Sequence, residues 1–108
     1  NNCGPCDLGC PRRARASADI TWWPLARAAG ARLITEARVT EVETDPQGRA
    51  RGVVYIDATG ITRRHRAAVV ALAANGLFTP RLMLLSTSAR FPDGLANDSG
   101  LVGRRLMH

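Results

Sequence analysis

The chain has 108 residues, of which 45% are hydrophobic and 22% are charged. That balance is typical of a folded segment with one small core and excludes a disordered chain. The formal net charge is +6, and all 15 lysine-plus-arginine residues are arginines. Because only 5% of the residues are aromatic and few of them stand among these arginines, the composition favours solvated arginine-bearing faces over a nucleic-acid interface.

Both ends of the sequence look interrupted. It begins with Asn1 and Asn2 instead of an initiator Met, and it stops at His108 directly after an apolar, glycine-punctuated stretch. We therefore expect an internal segment of a longer protein. No apolar run approaches the roughly 20 residues that cross a bilayer, so no transmembrane segment is expected in the chain.

The N-terminal part is expected to form a loop followed by a helix. Residues 1–18 are rich in Gly, Pro, Cys and Arg without periodicity, which is typical of an irregular loop. Residues 19–30 are expected to form a helix with Thr21 as N-cap, Pro24 in the first turn and Gly30 at its end. Three large apolar residues are expected to form the buried side of this helix: Trp22, Trp23 and Leu25.

A β-meander is expected over residues 32–74. The alternation in residues 33–40 predicts its first strand, and the change of phase between Val39 and Val42 predicts a bulge or bend. Two turns, residues 45–48 and 57–60, bound a second strand over residues 51–57. The third strand is expected to enter through residues 62–66 and to continue as the apolar run 67–74, buried between two layers.

A glycine turn, a helix and a loop are expected over residues 75–108. Asn75 and Gly76 interrupt the apolar run, and Thr79 and Pro80 are expected to supply the N-cap and the first-turn proline of a helix. Leu82 and Leu85 are expected on one side of that helix. Residues after it have four potential turn points and are expected to be mostly loop: Pro92, Gly94, Asn97 and Gly100.

The step from strand to helix is the feature most informative about function. A strand of small residues that ends in a glycine turn brings bare backbone close to a ligand, and the helix that follows offers unpaired N–H groups. Phosphate or ribose binding is the natural use of this arrangement.

Several segments together resemble the glucose-methanol-choline (GMC) flavoprotein oxidoreductases. The loop CDLGCPRRARAS is similar to the cysteine-rich stretch of that family, and TWWPLARAAGARLITEARVTEV to its helix and adenine-contacting strand. ANGLFTPRLMLLS resembles the second family signature, and GLANDSGLVGRRLMH the segment after it. The motifs occur in the family's order and cover nearly the whole chain.

The resemblance implies FAD as cofactor and an α/β fold, namely a partial Rossmann-like FAD/NAD(P)-binding domain with a three-strand β-meander and flanking helices. Val39 falls where the family's strand presents its backbone to adenine. The turn that passes the ribose and pyrophosphate corresponds to Ala73, Ala74, Asn75 and Gly76, and Thr79 belongs to the same signature. Many family members have Gly where this chain has Asn75, which also visits left-handed backbone angles.

No catalytic residue is assigned. The histidine with which family members remove the alcohol proton lies outside this sequence, as does their glycine-rich dinucleotide fingerprint. His65 stands among arginines before an apolar run and is expected to be exposed. His108 matches a family position after the glycine-rich tail.

Cys3, Cys6 and Cys10 form a second constellation, with spacings of two and three residues in a loop that has few large apolar side chains. Three thiolates suit a three-iron iron–sulfur cluster, whereas zinc would require a fourth ligand. The loop resembles that of a GMC subgroup of sugar and gluconate dehydrogenases, some of which pass electrons through such a cluster to a cytochrome. It is also similar to that of long-chain alcohol oxidases, whose cysteines have no known metal. A cluster and structural cysteines, reduced or paired, are the two alternatives.

The sequence as a whole therefore predicts part of an FAD-dependent oxidoreductase that acts on CH–OH groups of an alcohol, sugar or polyol. Partners implied by the resemblance are FAD, the alcohol or sugar, and a cytochrome or small electron-transfer subunit. The competing hypothesis is an arginine-rich metal- or nucleic-acid-binding module. That hypothesis explains the charge but not the order of strand, turn and helix.

Overall fold

A computed structural model describes residues 9–10 and 12–105 of the chain. They form two helices and three strands: α1 (Trp22–Ala28), β1 (Arg38–Thr44), β2 (Ala50–Ile56), β3 (Thr62–Arg66) and α2 (Asn75–Leu85). The chain divides into two compact units, Asn1–Thr35 and Glu36–His108. Neither of the two helices in the described part of the chain has the length and apolar composition of a membrane span.

Helix α1 confirms the helix predicted for the first unit, although it is shorter than expected. Gly30 has a φ of 95° and donates its N–H to the carbonyl oxygen of Arg27 at 3.0 Å, so it closes the helix as predicted. Thr21 is the N-cap residue, as predicted, but its side chain makes no capping hydrogen bond. Its Oγ1 instead donates to the carbonyl oxygen of Ser17 at 2.9 Å, an acceptor in the turn that precedes the helix.

The predicted buried side of α1 is exposed. Trp22 has 72% of its surface accessible, and Trp23 and Leu25 are exposed as well. The physical reason is that α1 is the one regular element formed by the described residues of this unit, so no second element in that part of it covers the apolar side chains.

Strands β1, β2 and β3 form an antiparallel sheet in the order β1-β2-β3, which confirms the predicted meander. Both predicted turns are present, since Gly48 donates its N–H to Asp45 at 2.8 Å and Gly60 donates to Asp57 at 2.9 Å. The first strand begins later than predicted. Arg38 pairs with Ile56, the last residue of β2, so the residues before Arg38 have no strand opposite them in this sheet.

The predicted irregularity of β1 is confirmed. The register with β2 shifts between Val39 and Glu41, which leaves Thr40 without a partner in the pairing. The Thr40 hydroxyl donates to the carbonyl oxygen of Val54 at 3.3 Å and ties the bulge to β2.

The prediction that the third strand continues through residues 67–74 is wrong. Strand β3 ends at Arg66, residues 67–74 form neither helix nor strand, and Val69 has 82% of its surface accessible. The cause is a lack of partners. Arg66 pairs with Gly52 near the start of β2, and one further hydrogen bond, from the Ala67 N–H to the Arg51 carbonyl oxygen at 3.0 Å, ends the pairing.

Helix α2 starts at Asn75, earlier than predicted. Pro80 therefore lies inside the helix and not in its first turn. Its C-terminal end packs against β1, and the small core contains Leu82, Val42 and Val54. Leu82 is buried as predicted, but Leu85 is exposed. Ser86, four residues after Leu82, occupies the buried position that faces β1.

Residues after α2 form a chain of turns, as predicted, and return to the helix. Gly94 donates its N–H to the Phe91 carbonyl oxygen at 3.2 Å, and Leu95 donates to the Met83 carbonyl oxygen at 2.8 Å. The Asn97 side chain accepts the Val102 N–H at 3.0 Å and so closes the next loop. The segment after α2, residues 86–105, is called the tail, and these hydrogen bonds hold it beside α2.

Candidate functional site

Asn75 opens helix α2 in a left-handed backbone conformation. Its φ is 65°, and its side-chain Oδ1 accepts the N–H groups of Leu77 at 2.9 Å and Phe78 at 3.2 Å. These are the bonds of an N-cap residue, so Asn75 plays the role that the sequence predicted for Thr79. Asn75 and Gly76 are exposed, and the turn they form is open to a ligand.

Thr79 stabilises the same turn from inside the helix. Its Oγ1 accepts the N–H of Ala74 at 3.0 Å, which corrects the prediction that it caps the helix. Of the backbone donors at the start of α2, the Asn75 and Thr79 side chains engage those of Ala74, Leu77 and Phe78. Neither side chain engages the N–H groups of Asn75 and Gly76.

Val39 lies beside the bulge of β1. It pairs with Tyr55 just before the register shifts, and 39% of its surface is accessible. Strand β1 is at an edge of the three-stranded sheet, where backbone N–H and C=O groups have no neighbouring strand on one side. The bulge and the edge together expose strand backbone near Val39.

The two predicted contact regions belong to elements that touch each other. Helix α2 packs against β1, and the Val42 N–H donates to Oγ of Ser86 at 2.9 Å. Val39 and the Asn75–Gly76 turn therefore belong to two elements that meet at this contact, within the same compact unit.

An open groove of about 670 Å³ starts at Gly76 and runs between α2 and the tail. The tail approaches α2 closely, since a Cβ atom at Gly103 would lie 3.2 Å from Cδ1 of Leu84. Three arginines bring positive charge to the same groove: Arg81, Arg104 and Arg105. Sequence reasoning missed them, although the pair of arginines directly after Gly103 was a signal for them.

The chain is similar to known proteins over its whole length. The sequence model of the family described as GMC oxidoreductase matches residues 1–108, which is the whole chain. The chain belongs to the GMC oxidoreductase family. The α/β class with a meander and flanking helices agrees with the N-terminal region of GMC oxidoreductases, so the predicted family and fold class are confirmed.

Three relatives illustrate the similarity of this GMC segment to longer enzymes. A 2-methyl-1,2-propanediol dehydrogenase of Mycolicibacterium austroafricanum is 46% identical over 101 residues, covering 93% of the chain and 18% of the relative. The fructose dehydrogenase large subunit of Gluconobacter japonicus is 41% identical over 78 residues, covering 72% and 14%. A paromamine 6'-oxidase of Streptomyces fradiae is 37% identical over 84 residues, covering 77% and 16%. The chain thus spans less than a fifth of the length of these relatives.

Cys10 is the described member of the predicted cysteine constellation of this GMC segment. It is a free cysteine whose Sγ accepts the N–H of Ala14 at 3.3 Å, and this bond lowers the pKa of the thiol. Cys3 and Cys6 lie outside the described residues. Within residues 9–10 and 12–105 no group of three or more His, Cys, Asp or Glu residues is arranged to hold a metal. The predicted three-cysteine site therefore stays a prediction.

Several arginines of the meander form ion pairs with carboxylates of its strands and turns. Asp45 forms ion pairs with Arg49 and Arg51, at 3.1 and 2.9 Å. Arg63 pairs with Asp57 at 2.6 Å, and Arg64 pairs with Glu43 at 2.8 Å. These ion pairs and the family match support the oxidoreductase hypothesis over the arginine-rich module. His65 is exposed, as predicted, and His108 lies outside the described residues.

Proposed function

We propose that this chain is the part of an FAD-dependent GMC oxidoreductase that binds the adenosine diphosphate half of the cofactor. In this proposal the backbone at Val39 contacts adenine. The turn formed by Ala73, Ala74, Asn75 and Gly76, held by Thr79, passes the ribose and the pyrophosphate. The observation that carries the proposal is that this turn is exposed where α2 begins, in a chain that matches the family over its full length.

The residues at this turn fit a pyrophosphate. The start of a helix carries partial positive charge, and Gly76 has no side chain between its N–H and an approaching phosphate. Arg81, Arg104 and Arg105 line the groove that begins at Gly76 and add full positive charges. Arginine suits this task because its guanidinium forms paired hydrogen bonds with phosphate oxygens.

The residues of this chain bind and orient the cofactor in the proposed enzyme. When bound, FAD supplies the acceptor for the hydride that leaves the carbon of the alcohol. We assign no proton transfer to this chain, because His65 is exposed on an edge strand among arginines. The base that removes the alcohol proton belongs to the remainder of the protein in this proposal.

We propose CH–OH compounds as substrates, namely an alcohol, a sugar or a polyol. Support comes from the names of relatives, which include a 2-methyl-1,2-propanediol dehydrogenase and a fructose dehydrogenase large subunit. The fructose dehydrogenase relative is named a large subunit. By analogy we propose a cytochrome or small electron-transfer subunit as the partner that takes electrons from this enzyme.

The test is to purify the full-length protein and record its absorption spectrum before and after anaerobic addition of 2-methyl-1,2-propanediol or fructose. We expect the absorption bands of a bound flavin, which bleach with one of the two alcohols. A colourless protein that does not bind added FAD contradicts the proposal. Salt-sensitive retention on nucleic acid by such a flavin-free protein would favour the arginine-rich module instead.

A further inference from the structure

Ser86 is the most deeply buried polar residue among those described, with 2% of its surface accessible. Its Oγ accepts the N–H of Val42 at 2.9 Å and donates to the carbonyl oxygen of Leu82 at 2.7 Å. One hydroxyl thus joins the edge of β1 to the last turn of α2. The Ser86 hydroxyl makes both hydrogen bonds at once because a hydroxyl group has a donor hydrogen as well as acceptor lone pairs.

The contact at Ser86 is repeated two residues further along both segments. Oγ1 of Thr44 lies 3.5 Å from Oγ of Ser88, a longer and weaker contact. Val42 with Ser86 and Thr44 with Ser88 share the same sequence separation of 44 residues. Residues 86–88 therefore run alongside residues 42–44 in the same direction, with serine side chains in place of a strand neighbour.

The alignment continues to the turn between β1 and β2. Ser88 and Phe91 exchange backbone hydrogen bonds of 3.1 Å in each direction. The Phe91 ring lies against that turn, since a Cβ atom at Gly48 would be 3.0 Å from its Cζ. The segment after α2 is thus fixed along β1 from Val42 to the turn, and its deepest contact is the one that Ser86 makes.

We infer that Ser86 is a positioning residue that sets the spacing between the adenine contact and the pyrophosphate contact of the cofactor. This inference rests on the proposed function. Val39 precedes Val42 by three residues, or about 10 Å of strand. Asn75 precedes Ser86 by eleven residues, or about 16 Å of helix. Both distances are counted from the residues that the Val42–Ser86 hydrogen bond joins. Loss of this bond lets α2 shift relative to β1, and the shift changes the distance between the adenine contact and the pyrophosphate contact.

The test compares FAD dissociation constants of full-length variants after removal of the flavin. Ser86→Ala removes the hydroxyl and is expected to weaken FAD binding about tenfold or more. Ser86→Thr keeps the hydroxyl and is expected to bind FAD more tightly than Ser86→Ala. Ser99→Ala is the matched control, because it removes a serine hydroxyl from an exposed turn and is expected to leave binding within about twofold.

A second control separates positioning from general loss of stability. Gly52→Ala disturbs the contact between β2 and β3 without touching Ser86, and its thermal midpoint is measured beside that of Ser86→Ala. FAD binding that is much weaker in Ser86→Ala than in Gly52→Ala, at a temperature where both are folded, supports the inference. Equal FAD affinities of the two variants, or no recovery in Ser86→Thr, would overturn it. If the unmodified protein does not bind FAD, the proposed function itself fails.

Discussion

Gly52 and His65 face each other so closely that a Cβ atom on Gly52 would overlap the carbonyl oxygen of His65. The same Cβ would lie 2.9 Å from Cα of Arg66. Gly52 also has a φ of 150°, a backbone conformation that residues with a side chain rarely adopt. The junction of β2 and β3 therefore requires glycine at this position.

Replacing Gly52 is expected to weaken the meander. Gly52→Ala forces β3 away from β2 and is expected to lower the free energy of unfolding of the full-length protein by about 1–3 kcal/mol. A denaturant titration measures the change. Gly60→Ala is the matched control, since Gly60 has a φ of 81° but no atom within 4 Å of an added Cβ. A loss no larger than that of Gly60→Ala would contradict the close approach of the strands.

The Asp57 carboxylate makes the turn between β2 and β3 sensitive to acid. It accepts the Thr59 hydroxyl at 2.6 Å, the Thr59 N–H at 2.9 Å and the Ile61 N–H at 3.0 Å, and it pairs with Arg63. The Thr59 hydroxyl and the Arg63 guanidinium hold the pKa of Asp57 well below its usual range. A lowered folded-state pKa stabilises the fold above the unfolded pKa of about 4, and this contribution is lost as the pH falls further.

Asp57→Asn removes this pH-dependent contribution. The variant is expected to melt at a lower temperature than the unmodified protein between about pH 5 and 8. The difference is expected to shrink below about pH 4, where the unmodified protein loses the same contribution. Melting curves across this range measure it, with Asp98→Asn in the exposed tail as the charge-matched control. A difference that stays constant down to about pH 2 would show that Asp57 acts through shape alone.

Local patterns predicted the meander well. Turn residues at 45–48 and 57–60, and the phase change after Val39, correspond to hydrogen-bonded turns and to a real register shift. Such features depend on neighbours in sequence. Residues 67–74 were predicted as a strand from their apolar character, but a strand also needs a partner, and the pairing of β3 with β2 stops at Arg66.

The start of α2 shows why the details of the candidate site were harder to predict. Thr79 and Pro80 are a strong helix-start signal, yet Asn75 caps the helix with two hydrogen bonds to Oδ1. The left-handed angle of Asn75 was anticipated from its residue type, whereas the groove lined by Arg81 and Arg104 was not. The groove depends on how the tail folds back, which periodicity does not encode.

Asn75 is expected to be replaceable by glycine but not by alanine. Asn75→Gly loses the cap while keeping the left-handed backbone, at a cost of a few tenths of a kcal/mol. Asn75→Ala loses the cap and strains the backbone, at a cost of about 2 kcal/mol. Denaturant titrations of the two full-length variants give the comparison. Equal losses for glycine and alanine would exclude a requirement for left-handed backbone at this position.

Val39 is proposed to contact adenine through its backbone, so its side chain and its N–H are expected to respond differently to substitution. Val39→Ala keeps every backbone group and is expected to leave the FAD dissociation constant within about threefold, since the change removes only apolar contact. Val39→Pro deletes the N–H and is expected to weaken FAD binding at least about tenfold, the loss of roughly one hydrogen bond to the ligand.

The two Val39 variants are compared by quenching of flavin fluorescence in the full-length apoprotein, after thermal midpoints have established that both are folded. Proline is tolerated in edge strands where the replaced N–H faces away from the neighbouring strand, and β1 is an edge strand of the described sheet, so Val39→Pro is expected to fold if this N–H is free for adenine as proposed. Tyr55→Phe, on the strand paired with Val39, is the control for a change in the same pair. Tight FAD binding by Val39→Pro would show that adenine is not held by this N–H. Weak binding by Val39→Ala would assign the contact to the side chain, because the alanine variant retains the whole backbone.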